Sequence, residues 1–205
     1  LTALGVDPDR LDIVIMQMVN LVKDGEKYKL SKRSGKAITL STLLDEIPID
    51  AARFFFNLRE PNSHFDFDLD LAVEKSSQNP VYYVQYAHAR ICSLLTNLKN
   101  EGFEAASYDK KELDILDKPQ ETELIRHLAS LPGEIDNAAK TYDPSRITKY
   151  SVELATLFHK FYDACSVKNA ETEQLKKARL ILCRAVLQTL RNSLAILKID
   201  RPEKM

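Results

Sequence analysis

The stretch that most constrains the fold lies near the end of the chain, in TEQLKKARLILCRAVLQTLRNSLAIL (residues 172–197). Its apolar residues recur at spacings of three and four, which indicates one long amphipathic helix with a buried stripe. The stripe consists of Leu175, Ala178, Leu182, Val186, Leu190, Leu194 and Leu197. A helix of this length buries such a stripe against other helices, so the pattern predicts a helical bundle.

The same period extends over most of the chain after residue 40. A seam from Val81 to Leu98 predicts a helix from about the low seventies to Asn100. ETELIRHLASLPGEIDNAAKTY and, after Pro144, SRITKYSVELATLFHKFYDACSV predict two more helices. Two shorter helices are predicted in STLLDEI, with Ser41 as N-cap, and in AARFFFNLRE, capped by Asp50. NSHFDFDLDL is predicted to be an irregular connector.

The first 40 residues have a different pattern. DRLDIVIMQMVNLV is apolar and β-branched before a KDGE turn, so residues 12–40 predict a hairpin or short strands at the edge of a larger unit. The fold class is therefore mainly α, a helical bundle preceded by a short α/β remnant. We place the boundary between residues 1–72 and residues 73–205.

Composition excludes several classes of protein. No apolar run approaches the length of a membrane span. Three cysteines without CxxC spacing fit buried thiols in a reducing compartment, so we expect a cytoplasmic protein. The four histidines lack metal-ligand spacing, and His88 on an apolar seam is predicted to be a core residue, so we assign no metal. Asp66, Asp68 and Asp70 do not complete a calcium loop and are predicted to cap a helix.

Positive charge is concentrated in two places, although the formal net charge is −1. KYKLSKRSGKAITL (residues 27–40) lies in a segment from Lys23 to Lys36 with six basic and two acidic residues. It fails the phosphate-loop pattern, because Leu30 and Ala37 replace the required glycine and hydroxyl residue. A solvated lysine-rich turn and a loop that neutralises a polyphosphate both remain open on composition alone.

The second concentration runs from Glu171 to Met205, where the sequence has eight basic and four acidic residues. Its arginines could contact RNA phosphates or form a solvated helix face. They are Arg179, Arg184, Arg191 and Arg201. On the helix predicted around Val81–Leu98, Tyr82, Tyr86 and Arg90 recur at four-residue spacing, which would present stacking rings beside a cation. Tyrosines of this kind can also fill a bundle, and we predict that role for Tyr83.

Several motifs together resemble one enzyme family. Lys29-Leu30-Ser31-Lys32-Arg33 resembles the KMSKS motif of class I aminoacyl-tRNA synthetases, and DAARFF resembles the DALR signature of a helical anticodon-binding domain. IVIMQMVNLVKDGEKYKLSKRSGKAITL, NPVYYVQYAHARICSL and the final RPEKM resemble arginyl-tRNA synthetases in order along the chain. The resemblance implies the end of a Rossmann catalytic domain followed by a DALR-type anticodon-binding bundle.

The resemblance also implies an activity and its residues. Arginyl-tRNA synthetases use ATP and Mg²⁺ to join arginine to its tRNA. By the match, Lys29, Ser31 and Lys32 would act in catalysis and, with Arg33, contact the ATP phosphates. The residues implied at the anticodon are Tyr82, Tyr86, Arg90, Tyr162 and Met205.

The sequence does not contain the other class I signature, HIGH. We therefore predict that this chain alone does not activate arginine, and that it binds no cofactor tightly. The full-length enzyme is expected to be a monomer with arginine tRNA, ATP and arginine as partners and no membrane partner. The apolar strand IVIMQMV, without its sheet, is predicted to cause self-association. The alternative function is a catalytically inert helical module that binds tRNA or a protein.

Overall fold

A computed structural model of the chain describes residues 2–28, 39–104 and 109–205. Ten helices and strands order most of this part, with short 3₁₀ turns at Thr2–Leu4, Pro8–Arg10 and Lys110–Leu113. In chain order they are β1 (Val19–Lys23), β2 (Glu26–Lys27), α1 (Leu40–Glu46), α2 (Ile49–Phe56), β3 (Phe65–Asp68), α3 (Leu69–Val73), α4 (Pro80–Asn100), α5 (Pro119–Thr141), α6 (Ser145–Ala164) and α7 (Glu173–Ile196). The prediction of a mainly α-helical fold with a small α/β part before it is confirmed.

The four long helices form the bundle. α4, α6 and α7 contact one another, and α5 packs mainly along α6. Every member of the predicted stripe of α7 is buried, as are Val84, Ile91, Phe158 and Phe161 on its neighbours. Continuous helix through Pro132 in α5 also agrees with the prediction. The apolar period of these segments therefore identified the core.

The small sheet has the strand order β2-β1-β3. β1 and β2 are antiparallel across a tight turn in which Asp24 and Gly25 both have positive φ, as a two-residue hairpin requires. β3 runs parallel to β1, with Val19 opposite Phe65. The ladder begins only at Val19, so the residues before it that were predicted to form a strand lie outside the sheet, without regular secondary structure.

Three local predictions were wrong. Thr39 caps α1 by accepting from the Thr42 amide, and Ser41 lies inside the helix. Asp50 lies in the first turn of α2, where it bonds to other parts of the chain. The predicted connector NSHFDFDLDL contains β3 and the first three residues of α3, and Phe67 of this alternating segment is buried in the core.

The start of α4 was also predicted too early, since the helix begins at Pro80. Asn79 precedes it as N-cap, and its side-chain oxygen accepts from the Val81 amide. Proline at the first helical position needs no hydrogen-bond partner for its nitrogen, so the Asn79-Pro80 pair defines this end. Asp68 caps α3 by accepting from Leu71, as predicted for this acidic segment.

The thiols and His88 agree with their predictions. Cys165 and Cys183 are buried and free, Cys92 is half-buried and free, and burial raises the pKa of Cys183 to about 12. His88 is buried, with hydrogen bonds to both ring nitrogens.

Candidate nucleic-acid interface

Tyr82 and Tyr86 stand side by side on α4. Their ring centroids are 6.4 Å apart and their planes differ by only 5°. Val81, Val84 and Ala87 on the opposite side of the helix are buried, which fixes the helix while the tyrosines remain accessible. Tyr86 is 40% exposed to solvent. The two rings therefore form a parallel aromatic surface that a nucleobase could stack on.

Arg90 lies one turn after Tyr86 and reaches across to α6. Its guanidinium carbon is 4.0 Å from the ring centroid of Tyr162 and 6.0 Å from that of Tyr86. Its Nη2 is 3.8 Å from the Asp163 carboxylate. The cation is thus stacked on an aromatic face and oriented between two helices, an arrangement that leaves part of it accessible.

His159 of α6 completes this group and was not predicted from the sequence. Arg90 Nη1 donates to His159 Nδ1 at 3.3 Å, and the imidazole ring packs 4.9 Å from Tyr83 and 5.9 Å from Tyr86. Because Nδ1 accepts, the proton of the neutral ring lies on Nε2, which is buried and has no partner among the described residues. Burial lowers the pKa of His159, and Arg90 lowers it further while Asp163 opposes the change.

A sequence signal for His159 did exist. It precedes Tyr162 by three residues, so the two share one face of α6. Scattered histidines without metal spacing gave no reason to select it, because the sequence does not show which face of α6 meets Arg90.

Met205 is the member of the predicted set that stands apart. It is 50% exposed, at the end of the segment that follows α7. Among the described residues, no hydrogen bond, ion pair or ring contact joins Met205 to Tyr82, Tyr86, Arg90 or Tyr162. The structure thus brings four of the five predicted tRNA contacts together at the α4–α6 surface.

A comparison with protein families decides what kind of bundle this is. The model of the DALR anticodon binding domain matches residues 84–205, which include α4 from its second turn and all of α5, α6 and α7. The chain belongs to the DALR anticodon-binding domain family. Tyr86, Arg90 and Tyr162 lie within the matched residues, and Tyr82 lies two residues before them on the same helix.

Relatives with similar sequences have consistent names. The chain is 51% identical over 205 residues to the arginine–tRNA ligase of Acetivibrio thermocellus, covering 100% of this chain and 36% of that protein. It is 51% identical over 203 residues to that of Caldanaerobacter subterraneus, covering 99% of this chain and 36% of the relative. The chain thus spans about a third of the length of these relatives.

Solved structures have the same fold. A protein described as an arginyl-tRNA synthetase from Campylobacter jejuni superposes with a TM-score of 0.80 at 29% identity, covering 98% of this chain and 43% of that one. The arginyl-tRNA synthetase of Thermus thermophilus gives a TM-score of 0.71 at 24% identity, covering 90% and 34%. At that lower identity the likeness concerns the fold.

Arg179 and Arg191, two arginines of α7 that were predicted as possible phosphate contacts, have partners within the protein. Arg179 is buried, with its Nε donating to Glu121 at 2.7 Å and its Nη1 donating to the Ser166 carbonyl at 2.9 Å. The hypothesis that it contacts phosphate was therefore wrong. Arg191 is paired with Glu203 at 3.4 Å.

The structure describes the residues on either side of the central part of the basic loop, up to residue 28 and from residue 39. The predicted catalytic and ATP-contacting residues Lys29, Ser31, Lys32 and Arg33 lie outside them. On the strand before the loop, Lys23 pairs with Glu46 at 2.9 Å, and Tyr28 donates to the same carboxylate at 3.1 Å. This contact raises the pKa of Lys23 and lowers that of Glu46.

The described residues contain neither a membrane-spanning helix nor a metal-binding cluster. Within them, no helix combines the length and apolarity needed to cross a membrane. No group of three or more histidine, cysteine, aspartate or glutamate residues could hold a metal ion in this same part of the chain.

Proposed function

We propose that the chain is the tRNA-binding portion of an arginine–tRNA ligase and contains its KMSKS-like loop. The observation that supports this most directly is the group formed by Tyr82, Tyr86, Arg90 and Tyr162 on α4 and α6. The last three of these residues lie within the part of the chain that matches the DALR domain. The names of the relatives and their sequence identity agree with it. The proposed setting is cytoplasmic protein synthesis.

The proposed surface suits unpaired RNA bases. Bases in single-stranded loops stack on aromatic side chains or on arginine planes and form hydrogen bonds through their edges. Tyr82 and Tyr86 would supply the stacking faces, and each stack contributes about 1–3 kcal/mol. Arg90, held against Tyr162, would supply hydrogen-bond donors and positive charge. The anticodon loop is therefore the proposed ligand, with Met205 as an additional contact.

The KMSKS-like loop at residues 27–40 is proposed to act on ATP. Lys29, Ser31 and Lys32, together with Arg33, would contact the triphosphate, and Mg²⁺ would accompany the nucleotide in the full-length enzyme. Charge that develops as pyrophosphate leaves would be stabilised by these cations. Removing one such preorganised contact costs roughly a hundredfold or more in rate.

We propose that the 205-residue chain alone does not catalyse arginine activation. The relatives are almost three times as long, and the chain has no HIGH sequence. The experiment is arginine-dependent exchange of pyrophosphate into ATP, with and without arginine tRNA. Turnover by this chain would contradict the proposal of inactivity.

Filter binding of anticodon stem-loops tests the tRNA proposal. The chain should bind the arginine stem-loop in preference to one with an unrelated anticodon. Replacing both Tyr86→Ala and Arg90→Ala should weaken binding about tenfold to a hundredfold, because one stack and one cation are lost. The matched control is Lys177→Met, which removes a cation that pairs with Glu112 and is not one of the proposed tRNA contacts.

The alternative function has a distinct outcome. Equal binding of all stem-loops would favour a generic RNA-binding or protein-binding module. Unchanged binding by the double variant would reject the α4–α6 surface while leaving arginine preference as a separate result.

A further inference from the structure

The eight residues Lys198–Met205, which we call the tail segment, are attached to the bundle by specific polar contacts. Lys198 has φ 57°, which turns the chain back after α7, and Ile199 is buried. The Asp200 amide donates to both carboxylate oxygens of Asp50 in α2 at 3.2 Å. Gln85 of α4 donates to the Asp200 carbonyl at 3.0 Å and to Asp50 at 2.9 Å. The tail segment is therefore held against α2 and α4.

His88 makes the next attachment, one turn along α4 from Gln85. The side chain is 1% exposed, and its Nδ1 is 2.9 Å from the Pro202 carbonyl oxygen. A carbonyl oxygen can only accept, so Nδ1 must hold a proton.

Arg191 of α7 bonds to the other ring nitrogen. Its Nε donates to His88 Nε2 at 3.2 Å, and its Nη2 is 3.4 Å from Glu203 of the tail segment. Because a guanidinium has no acceptor, His88 Nε2 must present a lone pair. Both bonds can form together only with the neutral ring protonated on Nδ1. The charged ring would set Nε2–H against the Arg191 N–H.

Neighbouring groups support the neutral state. Burial lowers the pKa of His88, and Arg191 and Arg201 lower it further, against opposing effects of the Pro202 hydrogen bond and Glu203. Cys92 Sγ lies 3.9 Å from both His88 Nδ1 and Arg191 Nη2. Arg201 Nη1 donates to the Arg191 carbonyl at 3.3 Å, which returns the tail segment to α7.

We propose that His88 and Arg191 are positioning residues for RNA binding, which fix the tail segment along α4 so that Met205 is held for contact with the anticodon loop. The inference rests on the proposed function. Tyr82, Tyr86 and Arg90 project from the same helix, on the face beside the one that holds Gln85 and His88. A single helix thus sets the relative position of the aromatic surface and the tail segment.

Because His88 and Arg191 are polar, they can fix the position of the tail segment and do more than fill space in the core. An apolar side chain of similar volume would close the space under Pro202 without choosing a register for the tail segment. His88 donates one hydrogen bond to the Pro202 carbonyl and accepts another from Arg191, and both can form in only one arrangement. Leaving either ring nitrogen buried without a partner costs free energy.

Three replacements of His88 separate these roles. His88→Leu keeps volume and removes both bonds. His88→Asn keeps a donor near the Nδ1 position, and His88→Gln keeps an acceptor near the Nε2 position. Arg191→Met removes the donor from the half-exposed side. The controls are His64→Asn, at an exposed histidine, and Lys177→Met, at a cation near the other end of α7.

Hydrogen exchange of the peptide covering residues 198–205 reports attachment of the tail segment, and stem-loop binding reports its consequence. We expect His88→Leu and Arg191→Met to exchange about tenfold faster and to bind arginine stem-loop about tenfold more weakly, with His88→Asn and His88→Gln between them and the wild type. Circular dichroism should show that all variants remain helical. The ¹⁵N shifts of His88 should report the Nδ1–H tautomer in the wild type.

The outcomes separate this inference from the proposed function. Wild-type exchange in His88→Leu, or an Nε2–H tautomer, would overturn the attachment. Faster exchange with unchanged stem-loop affinity would overturn the positioning role. A wild-type chain that binds no stem-loop would contradict the proposed function and the role in RNA binding, and exchange would still decide the attachment.

Discussion

Glu121 and Arg179 form an ion pair inside the protein, with side chains 0% and 4% exposed. Each partner also forms a hydrogen bond with the backbone. The carboxylate accepts from Arg179 and from the Lys118 amide, and the guanidinium also donates to the Ser166 carbonyl. The pair joins the start of α5 to α7 and to the connection after α6. These hydrogen bonds stabilise the pair, because two charges that are buried without such partners lose their hydration without compensation.

Breaking this pair from one side should destabilise the chain strongly. Arg179→Met leaves the Glu121 carboxylate buried without its partner, and we expect a loss of about 3–5 kcal/mol in the free energy of unfolding. Urea denaturation of the 205-residue chain measures it. Lys177→Met, which breaks the more exposed pair with Glu112, should destabilise the chain much less. Equal losses in the two variants would contradict the argument.

His159 should make stability depend on pH. Its pKa in the folded chain is below the ordinary value of 6.5, so the unfolded chain binds more protons between the two values. The free energy of unfolding should therefore fall as pH decreases from 7.5 to 5.5, partly because a charged His159 faces Arg90. His159→Gln should show a smaller fall, and His64→Asn a fall like that of the wild type. Urea midpoints at the two pH values measure the difference.

At the scale of elements, the α3–α4 junction depends on Asn79. The side chain is buried, accepts from the Val81 amide, and donates to the carbonyls of Ala72 and Glu74. One residue thus caps α4 and fixes the connection from α3. This fixes where α4 begins, and with it the position of Tyr82 in the first turn.

Replacing Asn79 should cost more than replacing an ordinary cap. Asn79→Ala removes the cap and leaves two carbonyls without their donor, so we expect a loss of about 2–3 kcal/mol. Thr172→Ala, at the exposed cap of α7, should cost about 1 kcal/mol. Thermal or urea unfolding compares the two. A larger loss for Thr172→Ala would contradict the special role of Asn79.

The helices and their buried faces were predictable from the sequence, because the period of α4, α6 and α7 is local information. The grouping of Tyr82, Tyr86 and Arg90 followed from the same period. His159 and the attachment of the tail segment were not predictable in this way. Arg90 and His159 are 69 residues apart, and His88 and Pro202 are 114 apart. Contacts at such separations depend on how helices pack, which spacing within one helix does not determine.

At the scale of the whole molecule, the segment before β1 is poorly covered. Ile13, Ile15, Met16 and Met18 are each more than 70% exposed, and the Gln17 amide donates to the Pro61 carbonyl at 2.9 Å. An exposed apolar patch of this kind is a site of association. The segment lies outside the sheet, and backbone groups that belong to no ladder can pair with another chain. The sequence-based expectation of self-association therefore remains a prediction with a defined surface.

Sedimentation over a micromolar concentration range tests it. The wild-type chain should show concentration-dependent association through this segment. Ile13→Lys with Ile15→Lys should remain monomeric, because two charges would have to be buried at the contact. Leu40→Lys with Ile49→Lys, at exposed apolar positions elsewhere, should associate as the wild type does. A monomeric wild type would refute the prediction.

The attachment of Asp200 to Asp50 spans 150 residues of sequence. Closing a segment this long has an entropic cost that must be met by contacts already in place. We therefore expect α4 and α7, which hold the two sides of the tail segment, to pack first. The contacts of residues 200–203 are then expected to form late in folding. A chain arrested with a complete helical bundle would look native by its helix content and still lack one part of the proposed RNA surface.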